Sequence, residues 1–181
     1  MSSNRRDLVR RQFDLTWSLL DLHLTELVAE DFLWEPTQHC WTMRQDTGGT
    51  WVADFAESEP HPIPVPTIGW VTWHLGWWWT AALDHARGRK PRGHDEIPWP
   101  GVGEATIDWV RGLRAEWIAV LDQLSDEDLD STASFPWPEE AGRTVADTVA
   151  WVNAELMKNT AEIGQLRVLR AATSHSTTDA P

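Results

Sequence analysis

A chain of 181 residues, 41% hydrophobic and with a formal net charge of −13, is long enough for one sizeable core and apolar enough to be globular. That charge repels nucleic acid and anionic membrane surfaces and argues against both as main partners. No apolar run approaches the roughly 18–20 residues of a membrane span. The amino terminus, Met1-Ser2-Ser3-Asn4-Arg5-Arg6, leads into an amphipathic pattern instead of an apolar signal core, so a cytoplasmic protein is expected.

The first helix is predicted from about Ser3 to Val28. Leu8, Phe13, Leu15, Trp17, Leu20, Leu24 and Leu27 form its apolar stripe, and Ser3 or Asn4 can cap its start. Between Glu30 and Pro66 the pattern changes. Pro36, Pro60, Pro62, Pro64 and Pro66 forbid a long helix, and Gly48-Gly49 marks a turn. Short strands are expected around Trp41–Arg44 and Trp51–Ala53. A loop of this length often forms a lid or cleft wall. It also holds the single cysteine, Cys40, which cannot close an intrachain disulfide and reads as a packed or idle thiol.

A second helix should start after Pro66, capped by Thr67. Ile68, Val71, Leu75, Trp78, Ala82 and Leu83 lie at helical spacing up to an end near Gly88. Asp84 and His85, adjacent in sequence, point to different faces and are expected on a solvated surface. After a Trp/Pro loop over 91–103, a third helix follows from about Glu104 to Leu124, with Ile107, Val110, Leu113, Trp117, Val120, Leu121 and Leu124 as its stripe. Ser125-Asp126-Glu127-Asp128-Leu129 reads as a capped short turn of helix. The fourth long helix spans roughly Thr144 to Ala172, with Val145, Val149, Val152, Leu156, Thr160 and Ile163 inward.

These elements predict an all-α four-helix bundle with long Trp/Pro-rich connecting loops. One domain covers residues 1–172, and residues 173–181 form a disordered tail. Aromatic usage is lopsided, with 14 Trp, 4 Phe and no Tyr, so indoles should fill the core and wall any cleft.

The chemistry-bearing residues are few. His74 sits in Trp73-His74-Leu75-Gly76-Trp77-Trp78-Trp79 on the second helix. Glu155, Asn159 and Glu162 follow one another at i, i+4, i+7 on the last. Helical geometry sets the two glutamates about 100–120° from the centre of the apolar stripe and Asn159 about 60° from it. One imidazole and two carboxylates on facing helices suit zinc, iron, nickel or manganese. The same residues can instead form a hydrogen-bonded polar patch, with Lys158 pairing to Glu155 or Glu162 along the helix. Composition and spacing leave both readings open.

Several segments resemble the DinB-like superfamily of bacterial four-helix bundles, in particular its actinobacterial branch. They are Trp34-Glu35-Pro36, Cys40-Trp41-Thr42-Met43-Arg44, Pro64-Val65-Pro66-Thr67-Ile68-Gly69-Trp70 leading to Trp73-His74-Leu75-Gly76, Val152-Asn153-Ala154-Glu155, and Ala161-Glu162-Ile163-Gly164-Gln165-Leu166-Arg167. The resemblance covers roughly Arg6 to Ala171. It implies a divalent metal, often zinc or nickel, held by one histidine on the second helix and two on the last. It further implies, for some members, S-transfer or isomerisation with mycothiol or bacillithiol, and often a homodimer. His74 matches the second-helix ligand. The last helix departs from the pattern, with Lys158, Asn159 and Glu162 where histidines usually stand.

Three functions compete. In a metal-assisted thiol transferase, His74 and Glu162 are ligands, Glu155 completes the shell, and Asn159, Lys158, Trp73, Trp77 and Trp78 border the substrate or mycothiol. In a binding module, the same tryptophan-walled cleft holds a small apolar ligand without metal. In a structural or stress-response bundle, the polar cluster only fixes helix register.

Overall fold

A computed structural model describes residues 5–178, with side chains from Arg5 to Thr173. The four long helices are α1 (Arg5–Thr25), α2 (Ile68–Ala86), α3 (Glu104–Gln123) and α5 (Val145–Thr178), and α4 (Asp126–Asp130) is one short turn. The fold is the all-α bundle the sequence predicts. The expected caps at Ser3 and Asn4 lie outside the described residues. The last helix passes Ala172 and reaches Thr178, so its backbone takes up most of the expected tail; 179–181 lie outside the described residues.

Contacts between the helices fix their directions. Moving along α5 from Asn153 through Gly164 to Arg167, the neighbours on α1 advance from Val9 through His23 to Glu26, so the two run parallel. Gly76 and Arg87 of α2 meet Trp109 and Glu116 of α3, again in parallel. Arg111 and Arg114 of α3 reach Asp21 and Asp14 of α1, so that pair is antiparallel. The bundle is therefore up-down-down-up. Only the connection from α2 to α3 must run back along the bundle, because those two consecutive helices point the same way.

The core is a single cluster centred on Phe13, Leu20, Leu75, Trp79, Val110, Trp117 and Leu156. Trp79 crosses the bundle to pack edge-on against Phe13, with ring centroids 6.0 Å apart. Leu8 and Leu15 correct the sequence reading: they are 60% and 62% exposed. At 100° per residue they fall roughly 140–160° around α1 from Phe13 and cannot join the inward stripe.

The segment over 26–67 is pinned at the end of the bundle where α2 begins. A hairpin pairs β2 (Met43–Gln45) with β3 (Trp51–Ala53), and β1 (Cys40–Trp41) pairs in parallel with β4 (Val65–Pro66). The two strands around Trp41–Arg44 and Trp51–Ala53 were legible; β4 was not, because Pro66 and its neighbouring prolines argue against a strand. The Cys40 thiol donates to the Thr37 carbonyl at 2.9 Å. Thr67 caps α2, its Oγ1 accepting from the Trp70 backbone N–H at 3.3 Å.

Asp84 overturns another expectation. It is 2% exposed, and its carboxylate takes ion pairs from Arg89 (2.8 Å) and Arg92 (2.9 Å), which hold the chain after α2 against the bundle. Burial raises the carboxyl pKa, but the two guanidinium groups outweigh it and leave the pKa below the ordinary value.

Gly76 is a point of close approach between α2 and α3. A Cβ there would enter the six-membered ring of Trp109. Gly76→Ala gains about 1 kcal/mol of helix propensity but meets an overpacking cost of about 1–3 kcal/mol. A net loss of up to about 2 kcal/mol is expected in urea unfolding.

Candidate functional site

The residues singled out from the sequence gather where α2 faces α5. Trp78, 6% exposed, donates its indole N–H to Asn159 Oδ1 at 2.9 Å. Asn159 Nδ2 in turn donates to Glu162 Oε2 at 2.8 Å. Asn159 is wholly buried, deeper than the helical wheel placed it. Its amide is the acceptor that lets a tryptophan N–H sit inside the bundle without loss. One turn earlier on α5, Lys158 Nζ lies 2.8 Å from Glu155 Oε2. This contact is an ion pair out of line for a hydrogen bond, since the same buried oxygen accepts none.

His74 ends an aromatic stack. Its ring lies parallel to Trp70 at 5.1 Å, and Trp70 is stacked in turn on Trp41 at 4.9 Å. The hairpin fastens this stack from outside, because the Asp54 carbonyl accepts the Trp70 indole N–H at 2.7 Å. Trp77 stands edge-on to His74 at 6.1 Å, with Phe55 and His94 against it. Trp73 is 2% exposed and backs Trp77 from inside the core. Of the three tryptophans proposed as cleft walls, only Trp77 is partly open; Trp73 and Trp78 are core residues that position it and Asn159.

Burial pushes the His74 imidazole pKa down to about 4; the nearby Lys158 charge adds to this and Glu155 opposes it. The ring is neutral at physiological pH, and its buried Nδ1 has no hydrogen-bond partner. A neutral imidazole beside an ion pair can accept a proton, accept a hydrogen bond or bind a soft cation.

The donor set fits a metal poorly. No group of three or more His, Cys, Asp or Glu side chains among the described residues is placed to hold an ion. The Asn159 carbonyl is committed to Trp78, a Glu162 oxygen to Asn159, and Glu155 to Lys158. Of the candidate ligands, His74 Nδ1 and Glu155 Oε2 are buried without a hydrogen bond, and the latter is ion-paired to Lys158.

The signals that sequence reading missed are Trp70 and the hairpin residues Trp41 and Asp54, which shape the histidine's surroundings. Trp70 stands four residues before His74, the spacing that stacks two rings on one helix face.

An up-down-down-up bundle with His74 of the second helix facing a carboxamide-carboxylate chain on the last defines a four-helix protein whose polar centre is built from mixed side chains. A family model described as the DinB superfamily matches residues 12–163, and the chain belongs to that superfamily. No curated protein and no solved structure matches it. No helix among the described residues is long and apolar enough to cross a membrane.

Proposed function

We propose that this chain is a small-molecule-binding member of the DinB superfamily whose polar centre works without a metal. The observation that carries the reading is the closed chain from Trp78 through Asn159 to Glu162, which occupies the polar groups a last-helix metal ligand set would need. The groups beside it that remain at least partly exposed are Trp77, Phe55, the neutral His74 ring and the Glu155–Lys158 pair. These groups suit a small aromatic or apolar molecule carrying one polar group.

The competing proposal is metal-assisted thiol transfer, with His74, Glu155 and Glu162 holding zinc or nickel and mycothiol as co-substrate. It requires the Asn159–Glu162 hydrogen bond and the Glu155–Lys158 ion pair to open.

Tryptophan fluorescence separates the two. A panel of aromatic and thiol ligands is titrated into protein kept in chelator, and again after adding zinc or nickel. The binding reading expects saturable quenching in chelator that is lost in Trp77→Ala. Quenching seen only with added metal and abolished by His74→Ala would assign the site to the metal reading.

A further inference from the structure

We propose that the cavity at the end of the bundle where α2 and α3 finish and α5 begins is a second small-molecule site, and that it takes an uncharged phenol, an aromatic ring bearing one hydroxyl. The cavity measures about 290 Å³ and lies between Ala82 and His85 of α2, Trp117 of α3, Phe135 in the loop before α5, and Val149 of α5. His85 stands about 16 Å along the α2 axis from His74, so this cavity is separate from the site described above. Ala82, Trp117 and Val149 are buried and give it an apolar floor. A cavity of roughly 150 Å³ admits benzene, so one substituted ring fits here. An adjoining groove shares the exposed Ala86 with the cavity and gives a ligand its entrance.

The wall of the cavity is fixed by the protein's own bonds. The Phe135 carbonyl accepts from Thr148 Oγ1 at 2.6 Å, and the Phe135 ring stands edge-on to Trp151 with centroids 5.2 Å apart. The loop that carries it is closed by the Ala133 N–H donating to the Arg143 carbonyl (2.9 Å) and the Val145 N–H to the Ser131 carbonyl (3.0 Å). A concavity that is already formed binds with little ordering cost. His85 supplies the polar contact. Its ring is partly exposed and stacks on Phe135 at 4.8 Å, and neither of its nitrogens has a hydrogen-bond partner among the described residues. Burial lowers its pKa, with Asp84 opposing, so at neutral pH the imidazole offers a lone pair to a ligand hydroxyl. Among the lining residues Asp128 alone carries a full charge at that pH. Hydrogen bonds from the Ser125 hydroxyl and backbone N–H hold its carboxyl below the ordinary value and keep it ionised. That charge, on a chain of net charge −13, disfavours an anionic ligand. A phenol brings an uncharged ring for the apolar floor and the one donor that the free imidazole nitrogen accepts.

The test titrates the full chain, labelled with nitrogen-15, with phenol, toluene and benzoate at neutral pH and reads the backbone amide shifts. Phenol should give saturable shifts at Ala133, Thr148 and Val149, and benzoate should give none. His85→Phe keeps a ring stacked on Phe135 and removes the acceptor. It should weaken phenol binding about tenfold, the worth of one hydrogen bond, and leave toluene binding unchanged. Ala86→Trp obstructs the entrance from an exposed position and should abolish the shifts from both ligands, while the dispersion of the remaining amides shows that the fold is kept. Trp77→Ala should leave phenol affinity unchanged, which separates this cavity from the site at His74. Absence of saturable shifts at the three amides overturns the proposal, as does phenol binding indifferent to His85→Phe or benzoate binding as tight as phenol. Phenol shifts confined to the surroundings of Trp77 and lost in Trp77→Ala would support the first site and overturn this one.

Discussion

Between pH 6.5 and pH 4 the fold is expected to lose about 3 kcal/mol through His74 alone. The folded imidazole has a pKa of about 4, against about 6.5 for an exposed histidine. As pH falls through 6.5 the unfolded chain takes up a proton that the folded chain refuses, so stability drops. Near pH 4 the folded ring begins to protonate too, and the loss levels off. The contribution is thus complete above the unfolded pKa and is lost downward, opposite to the behaviour of a histidine held by a carboxylate. Burial also lowers His23 and His85, which act in the same direction. The comparison with His74→Phe isolates the one site, since phenylalanine keeps a ring stacked on Trp70 and cannot titrate. Urea unfolding at pH 7.5, 6, 5 and 4 should give a gap between the two proteins that shifts by about 3 kcal/mol in favour of the variant. A gap independent of pH would mean that the ring is hydrated or charge-paired in solution.

Asn159→Ala is expected to cost about 3 kcal/mol. The wholly buried amide serves two partners, the Trp78 indole N–H and Glu162. Truncation strands a buried donor, at about 1–3 kcal/mol, and leaves a small void. A double-mutant cycle with Trp78→Phe assigns the cost. In the Asn159→Ala background no acceptor is left to lose, so Trp78→Phe should be milder there by about 1–2 kcal/mol. Additive effects would show that the two side chains do not share a hydrogen bond. If Asn159→Ala also leaves ligand quenching of Trp77 intact, the chain is a scaffold for the site and does not contact the ligand.

The helices of this fold announce themselves through residues whose local chemistry has one good solution. Thr67 before Ile68 is a cap, Ser125 with Asp128 is a capping box, and both are realised. The stripes of α2 and α5 are inward as their spacing requires. The failures concern residues whose fate depends on distant partners. Asp84 is buried only because Arg89 and Arg92, in an irregular segment, fold back onto it. Asn159 lies closer to the core than its helical angle suggests because Trp78, 81 residues away, needs an acceptor. Leu8 and Leu15 pass as core leucines in any apolar count. Only the final direction of Phe13 and Leu20 shows that they face outward. In the site itself, His74, Glu155, Lys158, Asn159 and Glu162 were all visible in the sequence. The Lys158–Glu155 pair was one of the readings their spacing allowed, but the bonds from Trp78 to Asn159 and from Asn159 to Glu162 were not visible.

The most direct measurement is elemental analysis of untagged protein purified without chelator, then incubated with zinc or nickel and desalted. A centre that works without metal should give far less than one metal per chain before and after incubation, with no difference between wild type and His74→Ala. Close to one ion per chain in the wild type, lost in His74→Ala, would contradict it and place a mixed histidine–carboxylate metal centre between α2 and α5.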